Sequence, residues 1–398
     1  MANVLIYIPV INQENGGIRQ YAVTLIKMLY EIKGNQYFIY HDVSDTEVIQ
    51  AIAGKQGFKL ITTNDIEVKE VVFKNVTIQR FNGLPILGRL RFKRKFIITT
   101  DLETYCQRNQ IEIIHCPFQY LPQVKGPKLI TTLHDIQEIH FPEFFSAEER
   151  AYRATNYLDF LRRADSVVVS YSHIKQDLIH YFDVPEEKIK ILLLKMEKLW
   201  FDKFTKADVD TLPLSLETKQ FLLYPANAWK HKNHLFLLDV LAYIRDKFNL
   251  QINVFFTGNF NSLNGQLIIE KSTQLNLQNQ VLFFGVVEEN ILYSLYKQAV
   301  GVVIPTLYEA GSFPLMESIL LNVPVICSNV TSLPETIGNV KFVFDPENLS
   351  DFSEKLIQFW EDEEFRKDNL KQLKLQSDIL TKNDPFPTLQ KLYAELTA

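Results

Sequence analysis

The sequence predicts an α/β protein built from two doubly wound domains, each with a parallel sheet. Short apolar runs alternate with longer amphipathic stretches, this alternation occurs in both halves of the 398-residue chain, and an irregular stretch separates the halves. Continuous apolar runs are typical of parallel strands buried on both faces, and the amphipathic stretches between them are typical of crossover helices. We therefore expect two Rossmann-like domains that face each other across a cleft.

The individual elements follow from the same pattern. In the first half, apolar runs predict strands at Val4–Pro9, Tyr37–Tyr40, Ile111–Cys116, Leu129–Leu133 and Ser166–Ser170, and helical periodicity predicts helices at Gln20–Ile32, Ala147–Arg163 and Ile174–Phe182. In the second half the predicted strands are Phe221–Tyr224, Asn253–Gly258, Val281–Gly285, Gly301–Pro305 and Pro324–Cys327. The predicted helices there are Asn233–Lys247, Glu288–Gln298 and Pro314–Leu321.

The domain boundary is expected within Leu193–Glu217, which loses periodicity and carries Lys, Asp, Thr and Pro. This gives a first domain at 1–200 and a second at 212–375. The tail at 376–398 contains the amphipathic stretch Phe386–Leu396, which we expect to pack back on the first domain.

Composition and charge narrow the function classes. Hydrophobic residues make up 46% and charged residues 22%, and the formal net charge of −5 favours no nucleic-acid partner. The three cysteines lack C-x-x-C spacing, so neither a disulfide scaffold nor a cysteine zinc site is expected, and a cytoplasmic location fits. The apolar start Met1–Pro9 lacks a basic region and predicts a strand rather than a signal peptide. Without a run of 18 apolar residues, any membrane contact is expected to be peripheral.

Two acids eight residues apart, Glu309 and Glu317, form the strongest candidate site. A predicted strand ends at Pro305, a loop carries Glu309, and a helix is predicted from Pro314. Backbone N–H groups at Gly311–Leu315 would then lie at the positive end of a helix, where phosphate oxygens bind well. The carboxylates would accept hydrogen bonds from sugar hydroxyls. The alternatives are ordinary solvated acids, or the acid/base pair of a glycoside hydrolase, which the loop-then-helix placement disfavours.

The segment Ile304–Ser328 resembles the E-x7-E signature of the retaining glycosyltransferases of family 4, which have the two-Rossmann GT-B fold. Further segments resemble the same family and follow in the same order, namely Tyr224–His234, Phe284–Gly285, Asn322–Ser328 and Thr331–Glu335. The resemblance is strong over about 220–350 and continues weakly to the N-terminus. It implies that a nucleoside diphosphate sugar is the donor and that no catalytic metal or other cofactor is needed.

The resemblance also implies roles for particular residues. Glu309 would bind the donor sugar, Glu317 the nucleotide ribose, and Lys232 would neutralise the diphosphate as the glycosidic bond breaks. The other implied donor-binding residues are Gly16, Gly17, Asn227, Gly285, Val286, Ala310, Gly311, Ser312 and Phe313. The sequence departs from the family where Asn227 replaces a frequent arginine and where the loop is Glu-Ala-Gly-Ser-Phe-Pro. Lys230 is a second candidate for the phosphate partner.

In the first domain, His134 resembles the family's active-site histidine, with Asp135 a candidate to orient its ring. A hydrogen-bonded core histidine is the structural alternative. A metal site formed by His134, Asp135, Glu138 and His140 is disfavoured, because the spacing matches no zinc motif. Ser172 lies in a segment that resembles a serine-bearing turn of the family, and helix capping is its alternative role.

The segment Arg89–Lys95 places five cations within seven residues. Such a segment is either a solvated helix face or a surface for peripheral contact with anionic lipid at the inner face of the plasma membrane.

Together these features predict a retaining hexosyltransferase that uses a nucleoside diphosphate sugar, with UDP-glucose favoured by frequency. The acceptor would be a saccharide or a lipid-linked saccharide in polysaccharide biosynthesis. The alternatives are another GT-B-like nucleotide-sugar enzyme, such as an epimerase or a sucrose-type synthase, and a non-catalytic subunit that activates a partner transferase.

Overall fold

The computed structural model describes residues 2–8, 16–32, 34–41, 56–62, 66, 68–81, 84–99, 102–194, 200–205, 220–382 and 384–398. The chain divides into two compact units. Unit 1 comprises Met1–Leu194 and Asp384–Ala398, and unit 2 comprises Lys195–Asn383. The division falls inside the stretch in which the sequence predicted a boundary.

Unit 1 contains a parallel sheet of seven described strands in the order β3-β2-β1-β6-β7-β8-β9. The strands of unit 1, including a separate hairpin, are β1 (Asn3–Ile8), β2 (Gln36–His41), β3 (Phe58–Ile61), β4 (Val68–Phe81), β5 (Leu84–Thr99), β6 (Ile113–Cys116), β7 (Lys128–Thr132), β8 (Ser166–Val169) and β9 (Ile189–Ile191). Its helices are α1 (Gly16–Leu29), α2 (Leu102–Arg108), α3 (Gln137–His140), α4 (Ala147–Arg163) and α5 (Ser172–Phe182), with 3₁₀ turns at Pro142–Phe144 and Glu186–Lys188.

Unit 2 contains a parallel sheet of six described strands in the order β12-β11-β10-β13-β14-β15. Its strands are β10 (Leu222–Pro225), β11 (Val254–Thr257), β12 (Val281–Gly285), β13 (Gly301–Ile304), β14 (Val325–Ser328) and β15 (Val343–Phe344). Its helices are α6 (His234–Phe248), α7 (Leu263–Gln274), α8 (Glu289–Gln298), α9 (Phe313–Leu321), α10 (Leu333–Ile337), α11 (Leu349–Glu361) and α12 (Glu363–Lys382), with 3₁₀ turns at Trp200–Lys203, Lys230–Lys232 and Val340–Phe342.

Both sheets reverse their strand order next to their first strand. The reversal lies between β1 and β6 in unit 1 and between β10 and β13 in unit 2. All residues of β6, β8, β13 and β14 are buried, as expected for parallel strands covered by helices on both faces. In such sheets, ligands bind beyond the carboxyl ends of the strands at the reversal. The loops after β10 and β13 are therefore where a site is expected in unit 2.

The basic segment Arg89–Lys95 lies within β5, not on a helix. Strands β4 and β5 pair with each other antiparallel, and the register places Lys74 opposite Arg94 and Asn75 opposite Lys93. The alternative of a solvated helix face is therefore wrong, because this segment follows the geometry of a two-stranded ribbon.

The C-terminal tail is shared between the units. The last helix, α13 (Phe386–Thr397), belongs to unit 1, where Leu389 and Tyr393 are buried and the Tyr393 hydroxyl lies 2.8 Å from His115 Nδ1. Helix α12 belongs to unit 2 because the Asn369 amide hydrogen-bonds both the N–H and the C=O of Val325 in β14, at 2.8 and 2.9 Å. The expected end of the second domain at residue 375 falls inside α12, and unit 2 continues to Asn383.

The start of α1 also differs from the expectation. Gly16 and Gly17 form its first turn rather than a separate turn before a helix at Gln20. The helix ends at Leu29 instead of Ile32.

Candidate active site

The loop after β10 places Lys232 in the interior of unit 2. A 3₁₀ turn at Lys230–Lys232 follows the strand, and the Tyr224 hydroxyl donates a hydrogen bond of 2.7 Å to the Lys232 carbonyl. Asn233 then adopts a left-handed conformation with φ 59°, which lets α6 start directly after the turn. Lys232 is 9% exposed, whereas Lys230 is exposed to solvent. Of the two candidate lysines, the fold thus buries Lys232.

The loop after β13 is hydrogen-bonded to this turn and carries Glu309. The Leu307 N–H and the Thr306 hydroxyl both donate to the His231 carbonyl, at 2.7 and 2.9 Å. The Lys232 ammonium donates to Glu309 Oε1 at 2.5 Å, and the two side chains are 11% and 9% exposed. The sequence assigned these two residues to different parts of a donor, and the structure joins them in a buried ion pair.

The groups around this ion pair are largely neutral. Burial and, to a smaller extent, the nearby Lys232 ammonium lower the pKa of His231 to about 3 and that of His234 to about 3. Both imidazoles are therefore uncharged near neutral pH. A buried charge without a partner is costly, so Lys232 and Glu309 stabilise each other, and removing either one should cost about 3–5 kcal/mol.

Helix α9 begins at Phe313, directly after the loop that carries Glu309. Its N-terminus offers a place for an anion. Ser312 is its N-cap residue and is 1% exposed, and within the described part of the chain its hydroxyl has no hydrogen-bond partner. The first intrahelical bond runs from the Met316 N–H to the Ser312 carbonyl. The N–H groups of Phe313 and Leu315 lie in the first turn of the helix, where no carbonyl of the same helix can accept them. Pro314 has no N–H. This end of α9 thus combines free donors with the positive end of the helix dipole.

A cavity of about 300 Å³ lies beyond the carboxyl ends of β10, β11 and β12. Glu317 contributes a carboxylate to it, and the Tyr296 hydroxyl donates to Glu317 Oε2 at 2.7 Å. The lining residues are Pro225, Ala226, Asn227, Thr257, Gly258, Val286, Val287, Leu292, Phe313, Pro314 and Glu317. The two acids therefore serve different places, because Glu317 lines the cavity whereas Glu309 is paired with Lys232.

Gly258 lines the cavity, whereas the predicted donor-binding residue Gly285 lies behind it and is not part of the lining. Gly258 has φ +120°, and a Cβ there would lie 2.5 Å from the Ala226 carbonyl oxygen. Its N–H donates to the carbonyl of Gly285, which ends β12 with φ +69°. Asn227 accepts a 2.8 Å hydrogen bond from the Asn259 N–H. Sequence reasoning missed Gly258, although a glycine at the end of a predicted parallel strand was a usable signal.

The remaining candidates of this loop, residues 310–313, lie in the sequence between Glu309 of the ion pair and Glu317 of the cavity. Ala310 and Gly311 follow Glu309 directly and are half-buried, and Ser312 and Phe313 begin α9. Val286 is 78% exposed at the rim of the cavity. The structure thus brings Asn227, Val286, Phe313 and Glu317 to one cavity.

In unit 1, His134 follows β7 and is held by the backbone. Its Nε2 lies 3.0 Å from the Pro117 carbonyl, and its ring meets that of Tyr21 edge-on with the centroids 4.8 Å apart. Burial lowers the pKa of His134, although the Pro117 carbonyl and Asp135 act in the opposite direction. The Asp135 carboxylate lies 3.7 Å from Arg153, so the contact that orients the imidazole is the one with Pro117.

The metal-site alternative does not fit this region. Glu138 pairs with Arg153 at 3.0 Å, and His140 pairs with Asp177 at 2.8 Å. Over the described residues, no group of three or more His, Cys, Asp and Glu side chains is arranged to hold a metal ion. Helix capping by Ser172 is also wrong, because Tyr171 occupies the N-cap position and Ser172 is the first residue of α5.

Family models match both units. The model described as glycosyl transferases group 1 matches residues 213–374, and the model described as glycosyltransferase family 4 matches residues 15–192. Two units with reversed parallel sheets, each matched by a glycosyltransferase family model, have the GT-B fold. The chain belongs to glycosyltransferase family 4, and the fold class predicted from the sequence is confirmed.

Relatives and solved structures agree with this assignment. The chain is 26% identical to O-antigen chain mannosyltransferase B of Escherichia coli over 64% of its length and 66% of that protein's. It is 26% identical to O-antigen chain mannosyltransferase RfbU of Salmonella typhimurium over 54% of its length and 56% of that protein's. The chain thus spans slightly less than two thirds of the first relative and just over half of the second.

Two solved structures share the fold over nearly their whole length. A glycosyltransferase from Rickettsia africae superposes with a TM-score of 0.66 at 17% identity, covering 100% of this chain and 98% of that one. Anabaena HepE in complex with UDP and glucose superposes with a TM-score of 0.65 at 16% identity, covering 100% of both chains. In the described part of this chain, no helix has the length and apolarity needed to cross a bilayer.

Proposed function

We propose that this protein transfers a hexose from a nucleoside diphosphate sugar to a hydroxyl of a saccharide or lipid-linked acceptor. The observation that carries the proposal is the arrangement around α9. This helix has the cavity acid Glu317 in its second turn, free N–H donors at its start, and the Lys232–Glu309 pair on the loop that leads into it. A ligand that fills the cavity and reaches the ion pair passes the positive end of this helix.

Each part of the donor has a matching group. The nucleoside fills the largely apolar cavity, and its ribose hydroxyls donate to Glu317, whose carboxylate Tyr296 orients. The diphosphate lies at the N-terminus of α9, where the Ser312 hydroxyl and the first N–H groups donate to its oxygens. The Lys232 ammonium exchanges part of its contact with Glu309 for phosphate oxygens, and Glu309 then accepts hydrogen bonds from the sugar.

The reaction we propose proceeds with retention, as the family resemblance implies. The bond between the anomeric carbon and the diphosphate oxygen breaks, and the acceptor oxygen bonds to that carbon on the same face. The acceptor proton passes to the departing phosphate, so no protein nucleophile is needed. Lys232 and the donors at α9 stabilise the negative charge that develops on the leaving group. We also propose that these groups make a catalytic metal unnecessary, in which case EDTA leaves turnover unchanged.

The identity of the hexose is a further part of the proposal. The sequence favours UDP-glucose, and the structure of HepE, which has the same fold, contains UDP and glucose. Two relatives are named mannosyltransferases of O-antigen chains, which supports mannose and polysaccharide biosynthesis as well. We therefore propose a neutral hexose donor and treat UDP-glucose and GDP-mannose as the two compounds to compare first.

Thermal unfolding with and without donor tests the proposal. A donor at a hundredfold excess over its dissociation constant stabilises the folded state by about 2.7 kcal/mol, so the matching donor should raise the midpoint. Incubation with that donor and saccharide acceptors should then release nucleoside diphosphate and yield a glycosylated product of unchanged anomeric configuration. Donor converted to its epimer would identify an epimerase instead. If no nucleotide sugar stabilises the protein and none is consumed, the proposed function is wrong.

We also propose a cytoplasmic protein that contacts the inner face of the plasma membrane through Arg89–Lys95. Five cations on one strand of a hairpin supply the charge that anionic lipid attracts, at about 1 kcal/mol per cation near the surface. The wild type should sediment with phosphatidylserine vesicles, and replacement of the five cations by glutamine should abolish this. Replacement of Lys367, Lys371 and Lys382, which are exposed on α12, is the control. Equal sedimentation of all three proteins would contradict the contact.

A further inference from the structure

The turn after β14 has an unusual backbone conformation. It spans Val330–Leu333 and is closed by a hydrogen bond of 3.1 Å from the Leu333 N–H to the Val330 carbonyl. Within it, Thr331 has φ +49°. A β-branched residue is strained in this left-handed region, which glycine and asparagine occupy more readily. The segment Thr331–Glu335 resembles the family, but the donor contacts proposed above give it no role.

Two side chains of this turn, those of Thr331 and Ser332, hydrogen-bond the main chain of Glu309. The Glu309 N–H donates to Thr331 Oγ1 at 3.1 Å, and the Ser332 hydroxyl donates to the Glu309 carbonyl at 3.2 Å. Ser332 is 0% exposed, so this contact is shielded from water. Two consecutive residues of one loop thus satisfy both polar main-chain groups of a single residue in another loop.

This contact depends on the strained backbone. Consecutive side chains of extended chain point to opposite sides, so a loop that simply continued β14 would direct only one of the two hydroxyls toward Glu309. The turn at Thr331 brings both hydroxyls to the same residue, one to the N–H and the other to the C=O of Glu309. Strain of this kind persists where the surroundings hold it, and it is common at functional sites.

We propose that Thr331 and Ser332 are positioning residues that fix the backbone of Glu309, so that its carboxylate reaches Lys232 and the donor sugar. The main chain of Glu309 is fixed by the turn after β14, and its carboxylate is fixed by the turn after β10 through the 2.5 Å contact with Lys232. The acid is therefore held at both ends by loops that follow different strands. The role toward the sugar rests on the proposed transferase function.

Four substitutions separate the hydrogen bonds from the strain. Thr331→Val keeps the shape and the strain but removes the acceptor, and Thr331→Ser keeps the acceptor. Thr331→Gly removes both the acceptor and the strain, and Ser332→Ala removes the donor on the other side. Thr331→Ser should keep donor turnover within about twofold. Thr331→Val, Thr331→Gly and Ser332→Ala should each lower it about tenfold, with kcat falling and nucleotide affinity unchanged, because one hydrogen bond to Glu309 is lost.

A double-substitution test distinguishes positioning from general stability. In a Glu309→Gln background, Thr331→Val should produce no further loss of turnover, since both changes act through one residue. Additive losses would overturn the proposal. So would a Thr331→Gly variant that turns over donor at the wild-type rate, because neither the Thr331 hydroxyl nor the strained backbone would then be needed for turnover.

The labelling rate of Lys232 provides a readout that needs no enzymatic activity. Reductive methylation followed by mass spectrometry should modify Lys232 slowly in the wild type and several times faster in Thr331→Val and Glu309→Gln, with the exposed Lys230 as the internal control. Equal rates at Lys232 in the wild type and Thr331→Val would overturn the positioning role. If Lys232 of the wild type is labelled slowly as expected but the protein neither binds nor consumes nucleotide sugars, the proposed transferase function is wrong. The positioning of Glu309 by Thr331 and Ser332 would still hold.

Discussion

Units 1 and 2 have the same strand order around the reversal but place different chemistry beyond the carboxyl ends of their strands. In unit 2, the loops after β10 and β13 bury a charged pair, Lys232 and Glu309, and a third charge, Glu317, lines the adjacent cavity. In unit 1, the residue that resembles the family's active-site histidine is His134, an imidazole whose pKa is lowered by burial. Topology therefore determines where a ligand can bind, whereas individual side chains decide what is bound there.

The largest expected effect comes from breaking the charged pair of unit 2. Lys232→Ala should lower donor turnover about a thousandfold, because the leaving diphosphate loses its nearest cation. It should also cost about 3–5 kcal/mol of stability, because Glu309 is left as a buried charge without its partner. Steady-state kinetics and urea unfolding measure the two effects.

A double variant separates these two consequences. Lys232→Met with Glu309→Gln removes both charges, so most of the stability should return while turnover stays low. Recovery of turnover together with stability would show that the pair serves the fold alone. The contrast between the charged pair of unit 2 and the uncharged His134 of unit 1 would then have no functional meaning.

Acid should weaken unit 2 through the histidine beside the charged pair. His234 is 1% exposed, its ring lies 4.6 Å from that of Tyr224, and its pKa is lowered to about 3 by burial and by Lys232. The folded-state pKa lies below the unfolded value of about 6.5, so the unfolded state binds more protons between these two values. The stabilisation is complete above about pH 6.5 and is lost as the pH falls toward 3, by about 1.4 kcal/mol per pH unit for this group.

A variant without the titrating ring tests that slope. His234→Phe keeps an aromatic side chain among Phe256 and Phe260, and its free energy of unfolding should fall less steeply between pH 6.5 and 4.5. His115 is the matched residue of unit 1, since burial alone lowers its pKa to about 3. Parallel slopes for the wild type and His234→Phe would contradict the assignment.

Substitutions of Glu309 and Glu317, the two acids of the signature, should have different effects on nucleotide affinity. Glu317→Gln should weaken nucleoside diphosphate binding about tenfold to a hundredfold, because hydrogen bonds to a charged acceptor contribute about 1.5–3 kcal/mol. Tyr296→Phe removes only the hydroxyl that orients Glu317 and should weaken binding several-fold, in line with about 1 kcal/mol for a neutral hydrogen bond. Isothermal titration with UDP and GDP measures both. Glu309→Gln is the control, and a loss of nucleotide affinity there equal to that in Glu317→Gln would refute the division of roles.

Much of the fold could be predicted from the sequence because buried parallel strands are short, continuous apolar runs. β6, β8 and β13 were recognised in this way, and Pro314 correctly indicated the start of α9. The hairpin of β4 and β5 could not be recognised, because the cations of Arg89–Lys95 interrupt any apolar run. Helix α12 was cut at residue 375 because its mostly polar sequence hides the buried Asn369, whose amide joins it to β14.

The sequence indicates the residues of the candidate site but not their contacts. The E-x7-E spacing located Glu309 and Glu317, but a spacing does not state which partner each carboxylate has. The pairing of Lys232 with Glu309 joins residues 77 positions apart, and the hydroxyls of Thr331 and Ser332 come from a third loop. Such contacts arise from the strand order of the sheet, which brings loops together that are distant in sequence.

The smallest expected effect concerns His134, the uncharged imidazole of unit 1 that is contrasted with the charged pair of unit 2. A neutral imidazole contributes a hydrogen bond rather than a full charge, so His134→Ala should lower turnover only about tenfold, about 1.4 kcal/mol, and leave nucleotide affinity unchanged. His134→Gln keeps an amide donor at the position of the imidazole Nε2, which can reach the Pro117 carbonyl, and should retain more activity than the alanine variant. Turnover and nucleotide binding measured on both variants decide the matter. A thousandfold loss in His134→Ala, equal to that of Lys232→Ala, would mean that this imidazole carries a proton or a charge in the reaction, and the contrast between the charged pair of unit 2 and a neutral His134 in unit 1 would fail.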